Sequence, residues 1–252
     1  MRRQEFSVSG TPRIEVRHPT GHLEILDGAE GVVEVEMHGP DQAVERYRLE
    51  QDGDTIRIEP DRGRRIRFSS VRLVVRVGSP PRLQARLVSG DMEVAAGLMS
   101  LAVDTASGDV VVRDVVEDVT VRAASGDVNL GAVGGRLSVT TASGDVRAEA
   151  AASVDLKSAS GDLWLGRLHG GASMSTASGD ITVARFEGDR LDARSMSGDV
   201  RVAVAPGRRY EVGLSSLAGD IRSDFPVQGD GSGATARLEA KTVSGDIRIT
   251  PA

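Results

Sequence analysis

Nine aspartates share one local context. Asp91, Asp109, Asp127, Asp145, Asp162, Asp180, Asp199 and Asp246 each close the tripeptide Ser-Gly-Asp, and Asp220 closes the variant Ala218-Gly219-Asp220. Carboxylates repeated at a fixed period can take up cations if the fold stacks them. At a strand spacing of ~4.8 Å, neighbours repel by about 0.9 kcal/mol at the dielectric of water and by several at an effective value near 20. Eight such steps are comparable to the roughly 5–15 kcal/mol that holds a whole domain folded. A column of this kind has to be solvated, hydrogen-bonded to amides, or neutralised by cations. Calcium-binding β-rolls use a shorter repeat with more acidic residues per turn. The cation column Asp91, Asp109, Asp127, Asp145, Asp162, Asp180 and Asp199 is therefore the minor reading, and no metal or cofactor is assigned.

Other residues invite chemistry less strongly. Trp164 is the single tryptophan and sits between Leu163 and Leu165, so alternation points it outward as a contact anchor. Arg62, Arg64, Arg65 and Arg67 form a basic cluster suited to an acidic partner or a headgroup surface. His18 and His22 are four apart, but Pro19 and Gly21 argue for a turn rather than a metal-binding helix. There is no cysteine, and no nucleophile elbow, phosphate loop or zinc signature. No catalytic residue is assigned, and the chain is read as a non-enzyme. The alternatives are a carbohydrate-active β-helix enzyme, lyase or hydrolase, and a cation-dependent binding module. The short, uniform repeats hold no inserted loop to shape a cleft.

The elements that position these residues follow from the spacing. The corner serines and Ala218 lie 18, 18, 18, 17, 18, 19, 21 and 26 residues apart. Before each corner runs an alternating segment such as Leu101-Ala102-Val103 or Leu137-Ser138-Val139, and after it a shorter one such as Val110 to Val112. Period two with β-branched residues reads as strand. Each coil is then strand, corner, strand, loose turn, and no ~18-residue unit buries its own apolar side without stacking. The expected fold is all-β: a single-chain parallel β-solenoid, right-handed by the general preference of parallel connections. The structural corner residues are Gly90, Gly108, Gly126, Gly144, Gly161, Gly179, Gly198, Gly219 and Gly245. Residues 1–82 alternate without the regular period and read as an irregular β-rich N-terminal cap. Within them, Asp52-Gly53-Asp54 signals a hairpin, Pro40 to Glu45 a short helix, and Thr20-Gly21-His22-Leu23 a worn corner. Residues 83–252 read as one contiguous solenoid with longer, irregular coils after 200. The turns from Pro206 to Ala236 are expected to cover the edge at Ile247 to Ile249.

Composition narrows the partners. With 31 basic and 37 acidic side chains the net charge is −6, which gives no general pull toward nucleic acid. Aromatics are 3%, so the core is aliphatic. No apolar segment follows Arg2-Arg3, and none approaches the roughly 18 residues a membrane helix needs. The chain as it stands is expected in the cytoplasm.

The alternating β segment, the prolines at 80 and 81 and the nine corners of Ser-Gly-Asp, hydrophobic, any residue, hydrophobic resemble a bacterial β-strand-repeat family labelled as adhesins, domain of unknown function 4097. The resemblance implies envelope association or a link to envelope stress, no enzyme activity, and no catalytic residues to carry over. The implied partner is a protein or an envelope polymer, with self-association through solenoid ends or faces as a further expectation.

Overall fold

In the computed structural model, which describes residues 1–61, 70–224 and 235–252, the alternating segments are strands and the helical content is the four-residue α1 (Asp41–Val44). The chain divides into two compact units, Met1–Leu130 and Gly131–Ala252. Parallel pairing already begins at Arg13.

The first unit contains β1 (Arg2–Ser7), β2 (Arg13–Thr20), β3 (Leu23–Asp27), β4 (Val32–His38), β5 (Tyr47–Asp52), β6 (Thr55–Pro60), β7 (Arg72–Val77), β8 (Arg82–Ser89), β9 (Met92–Val94), β10 (Ser100–Thr105), β11 (Val110–Val112), β12 (Val119–Ala123) and the start of β13 (Val128–Ser143). One parallel run is β6, β2, β8, β10, β12. The other is β7, β3, β9, β11 and residues 128–130. Like positions align: Ile14 lies beside Leu83, Leu83 beside Leu101, and Leu101 beside Val119. All four are buried. Each such side chain contributes about 1.5–3 kcal/mol relative to exposure, and only stacking removes it from water. Among the described residues of this unit, the antiparallel pairs are β1–β4, β4–β7 and the β5–β6 hairpin, whose turn is Gly53-Asp54.

The second unit holds the rest of β13, then β14 (Val146–Ser160), β15 (Leu163–Leu168), β16 (Ala172–Ser178), β17 (Ile181–Phe186), β18 (Arg190–Ser197), β19 (Val200–Val204), β20 (Arg209–Ala218), β21 (Ile221–Ser223), β22 (Thr235–Ser244) and β23 (Ile247–Pro251). Its parallel runs are β14, β16, β18, β22, β20 and β14, β15, β17, β19, β23, β21. The last coil in the chain is thus not the last in the stack. Residues 235–251 insert between the coil of β18–β19 and the coil of β20–β21. The inserted coil turns Ala236, Leu238, Ala240, Ile247 and Ile249 inward, all buried. The displaced coil offers Ser216 and Ser223 at the matching positions beside Thr242 and Ile249. The more apolar coil takes the interior place. The edge of β23 is covered by β21, which lies within the 206–236 span expected to cover it.

Candidate functional site

The corners are built by hydrogen bonds between coils. In the first unit the Asp109 amide donates to Asp91 Oδ1 at 3.0 Å and the Asp127 amide to Asp109 Oδ1 at 2.9 Å. In the second unit the amides of Asp162, Asp180, Asp199, Asp246 and Asp220 donate in turn to Oδ1 of Asp145, Asp162, Asp180, Asp199 and Asp246, each at 2.8 Å. These are charge-assisted bonds, about twice as strong as neutral ones, and they offset the repulsion along the column. Arginine adds to this in the second unit, where Arg201 reaches Asp180 at 2.7 Å and Asp199 at 2.5 Å. Burial alone would raise the Asp180 carboxyl, but the Asp199 amide and Arg201 outweigh it and hold it below its ordinary value. In the first unit the equivalent positions are Glu93, Val111 and Asn129, so its carboxylates have no arginine there. Among the described residues no group of three or more His, Asp or Glu side chains is placed to hold a metal ion.

The corner glycines are required twice over. Gly198 has φ +146, and a Cβ there would lie 2.1 Å from the Gly179 carbonyl oxygen. At Gly90 (φ +134) the same atom would meet Gly21 O at 1.7 Å. Both the backbone conformation and the contact with the neighbouring coil exclude a side chain. Gly21 thus belongs to the stack, and its own φ is +121. Buried hydroxyls hold the corner carbonyls: Thr176 Oγ1 donates to Ser178 O at 3.2 Å, Ser195 Oγ to Gly179 O at 3.0 Å, and Thr242 Oγ1 to Gly198 O at 3.1 Å. Ser158, in the same column, has a buried Oγ with no hydrogen-bond partner.

The outer faces carry the other candidate groups. Trp164 is half-buried on β15, and the Arg147 guanidinium lies 3.6 Å from its ring centroid. The row continues across the sheet through Thr182 to Arg201. Arg62, Arg64, Arg65 and Arg67 lie outside the described residues. Sequence reasoning missed a shallow cleft of about 310 Å³ on the first unit, lined by Glu15, Arg17, Arg57, Glu59, Gln84 and Arg86. Its signal was available, because these are the outward alternates of β2, β6 and β8. It also placed His18 in a turn, whereas His18 lies on β2 and is 1% exposed. Its Nε2 lies 2.9 Å from Val71 O and its Nδ1 2.8 Å from Tyr47 Oη. A carbonyl only accepts, so Nε2–H donates to Val71 and the Tyr47 hydroxyl donates to Nδ1. This is the neutral tautomer, and burial pushes the imidazole pKa down to about 4.

Stacked parallel coils with glycine contacts and amide-capped aspartates define a β-solenoid repeat protein. A family model described as Toastrack DUF4097 matches residues 12–250, and the chain belongs to that family. No curated protein matches it. Among solved structures, a "putative adhesin" from Bacteroides fragilis NCTC 9343 is 17% identical, with 98% of this chain and 95% of that chain covered at a TM-score of 0.47. A "putative adhesin" from Parabacteroides merdae ATCC 43184 is 7% identical over 98% and 95%, TM-score 0.48. A "putative lipid binding protein" from Parabacteroides distasonis ATCC 8503 is 14% identical over 98% and 96%, TM-score 0.46. No helix among the described residues is long and apolar enough to cross a membrane.

Proposed function

We propose that this protein is a non-enzymatic, adhesin-like scaffold whose outer strand faces contact a protein or cell-envelope polymer. The Arg147–Trp164 stack carries the reading. An aromatic ring fixed by a guanidinium, in a row with Thr182 and Arg201, offers a flat and partly apolar surface beside hydrogen-bond donors. Such a surface suits a sugar ring or a partner's side chain. Sedimentation with purified peptidoglycan and envelope polysaccharide tests it. Trp164→Ala and Arg147→Ala are expected to weaken binding about tenfold with unchanged melting, on the scale of a contact anchor. Undiminished binding by both variants would remove this face from the contact surface.

The same reading extends to architecture and place. The protein acts at the envelope, and its coils wind right-handed, in keeping with parallel connections generally. Residues 1–82 serve as the cap for coils beginning at 83, a role supported by the docking of β2 on β8 and β3 on β9. Residues 83–252 form one repeat series, supported by the unbroken corner period through Ser125 and Ser143. The corner glycines fix the bend, and the column from Asp91 to Asp199 is neutralised by amides and arginine rather than by cations. A calcium titration that shifts the melting temperature would overturn this last point.

A further inference from the structure

The outermost coil of the second unit is unfinished. β20 and β21 pair on one side, with β22 and β23, and among the described residues no strand lies against their other side. At the inner corners the glycine amide and the amide after aspartate both reach carbonyls of the next coil. Gly198 N donates to Ser244 O at 2.9 Å, Val200 N to Asp246 O at 2.9 Å, Gly245 N to Ala218 O at 3.0 Å and Ile247 N to Asp220 O at 2.9 Å. Gly219 N and Ile221 N have no such acceptor among the described residues. The end of the apolar column is open: Val212 is 40% exposed and Ile221 46%, while their neighbours Leu238 and Ile247 are fully buried. Leu217 is 84% exposed beside Val243. From Val212 to Ala218 the edge carries no charge.

We propose that two copies of this chain pair antiparallel through β20, about a two-fold axis near Gly213. An unpaired edge of this length and polarity recruits a strand, and a second copy is the partner it fits. Antiparallel self-pairing lets free amides of each copy donate to free carbonyls of the other. Because residues 212–218 are uncharged, it places no like charges opposite one another at its centre. Head-to-tail growth is disfavoured, because β1 and β5, which among the described residues pair on one side only, carry Arg2, Arg3, Glu5, Arg48, Glu50 and Asp52. A two-fold contact through β20 also closes at two copies. This inference stands apart from polymer binding, which can fail while the dimer persists.

Light scattering of the full chain over a concentration series is the test. The expected mass rises to twice the 26.5 kDa of one chain and stops. Val212→Lys with Leu217→Lys is expected to weaken the dimer at least about tenfold through like-charge opposition, while Gln4→Lys on β1 leaves it unchanged. The chain has no cysteine, so Gly213→Cys gives a clean trap near the axis. It is expected to form a disulfide-linked dimer under oxidation, and Gln4→Cys is not. A monomeric mass at every concentration, a mass climbing beyond two copies, or equal cross-linking at both cysteines would each overturn the proposal.

Discussion

β1 and β5 end their sheets in the first unit with charge and antiparallel pairing, whereas β20 and β21 end theirs in the second with parallel pairing and a stretch, Val212 to Ala218, that carries no charge. Arg3 pairs with Glu34 at 2.7 Å, and Arg76 holds Glu34 at 2.9 Å and Glu36 at 2.8 Å on the neighbouring strands. Beneath them Phe6, Val44 and Tyr47 turn inward and are buried. Among the described residues of the second unit, Tyr210 is the comparable aromatic at the edge, its ring centroid 5.9 Å from that of Phe186. The remaining inward positions at that edge are half-covered aliphatics and serines. Closing a stack of coils therefore takes bulky inward side chains and a reversal of strand direction, both of which interrupt the repeat. A coil that keeps the repeat at the edge keeps the edge open.

Substitutions at the corners probe this contrast most severely. Gly198→Ala places a methyl 2.1 Å from one coil, while the Gly198 carbonyl is itself the atom that Gly245 packs against. Strain and overpacking together are expected to cost about 4 kcal/mol in urea unfolding. Gly219→Ala meets Gly245 O at 2.0 Å, but the outermost coil can lift away, so about half that loss is expected. Equal losses would mean that β20–β21 is held as firmly as an inner coil.

Acid separates the units next. Folded His18 binds its proton less tightly than the unfolded chain, with a pKa of about 4 against 6.5. Its neutral contribution is complete above about pH 6.5 and is lost as pH falls toward 4, by about 3 kcal/mol. Asp180 is held below its ordinary value of 3.8, so its contribution is present above that pH and lost only as pH falls further. Hydrogen exchange between pH 7 and 4.5 should show the first unit loosening before the second. The reverse order would sink this assignment.

The smallest contrast lies inside the second unit. Thr176→Val removes a donor to the Ser178 carbonyl and is expected to cost about 1 kcal/mol. Ser158→Ala removes a buried hydroxyl that has no partner, and its expected cost is near zero. Thermal melts of the two variants that coincide would show that these hydroxyls do not hold the corner.

The corners were legible in the sequence because their contacts repeat with it: whatever Gly90 meets in one coil, Gly108 meets in the next. Gly21 was legible as well, through Thr20 and Leu23 on either side. The order of the last coils was not. Spacings of 21 and 26 residues show irregularity but not insertion, and the useful signal was the polarity of an inward position, Ser223 against Ile249. His18 was obscured by Pro19 and Gly21, which read as a turn. Yet Ile14, Val16 and His18 alternate inward on one strand that continues through the proline to Thr20. The outer-face cleft was legible only in part: the outward alternation of its residues shows in the sequence, but which strands lie side by side, with Arg57 and Gln84 27 positions apart, does not.

The insertion of 235–251 into the stack bears on how the chain is made. A ribosome delivers residues 209–223 before the coil against which they must lie exists. That segment has to wait, its strand edges unsatisfied, until residues 235–251 emerge and dock on β18 and β19. A stop codon after Asp224 would therefore remove one coil and strand another, leaving β20 and β21 without their partners and β18 and β19 with an exposed edge.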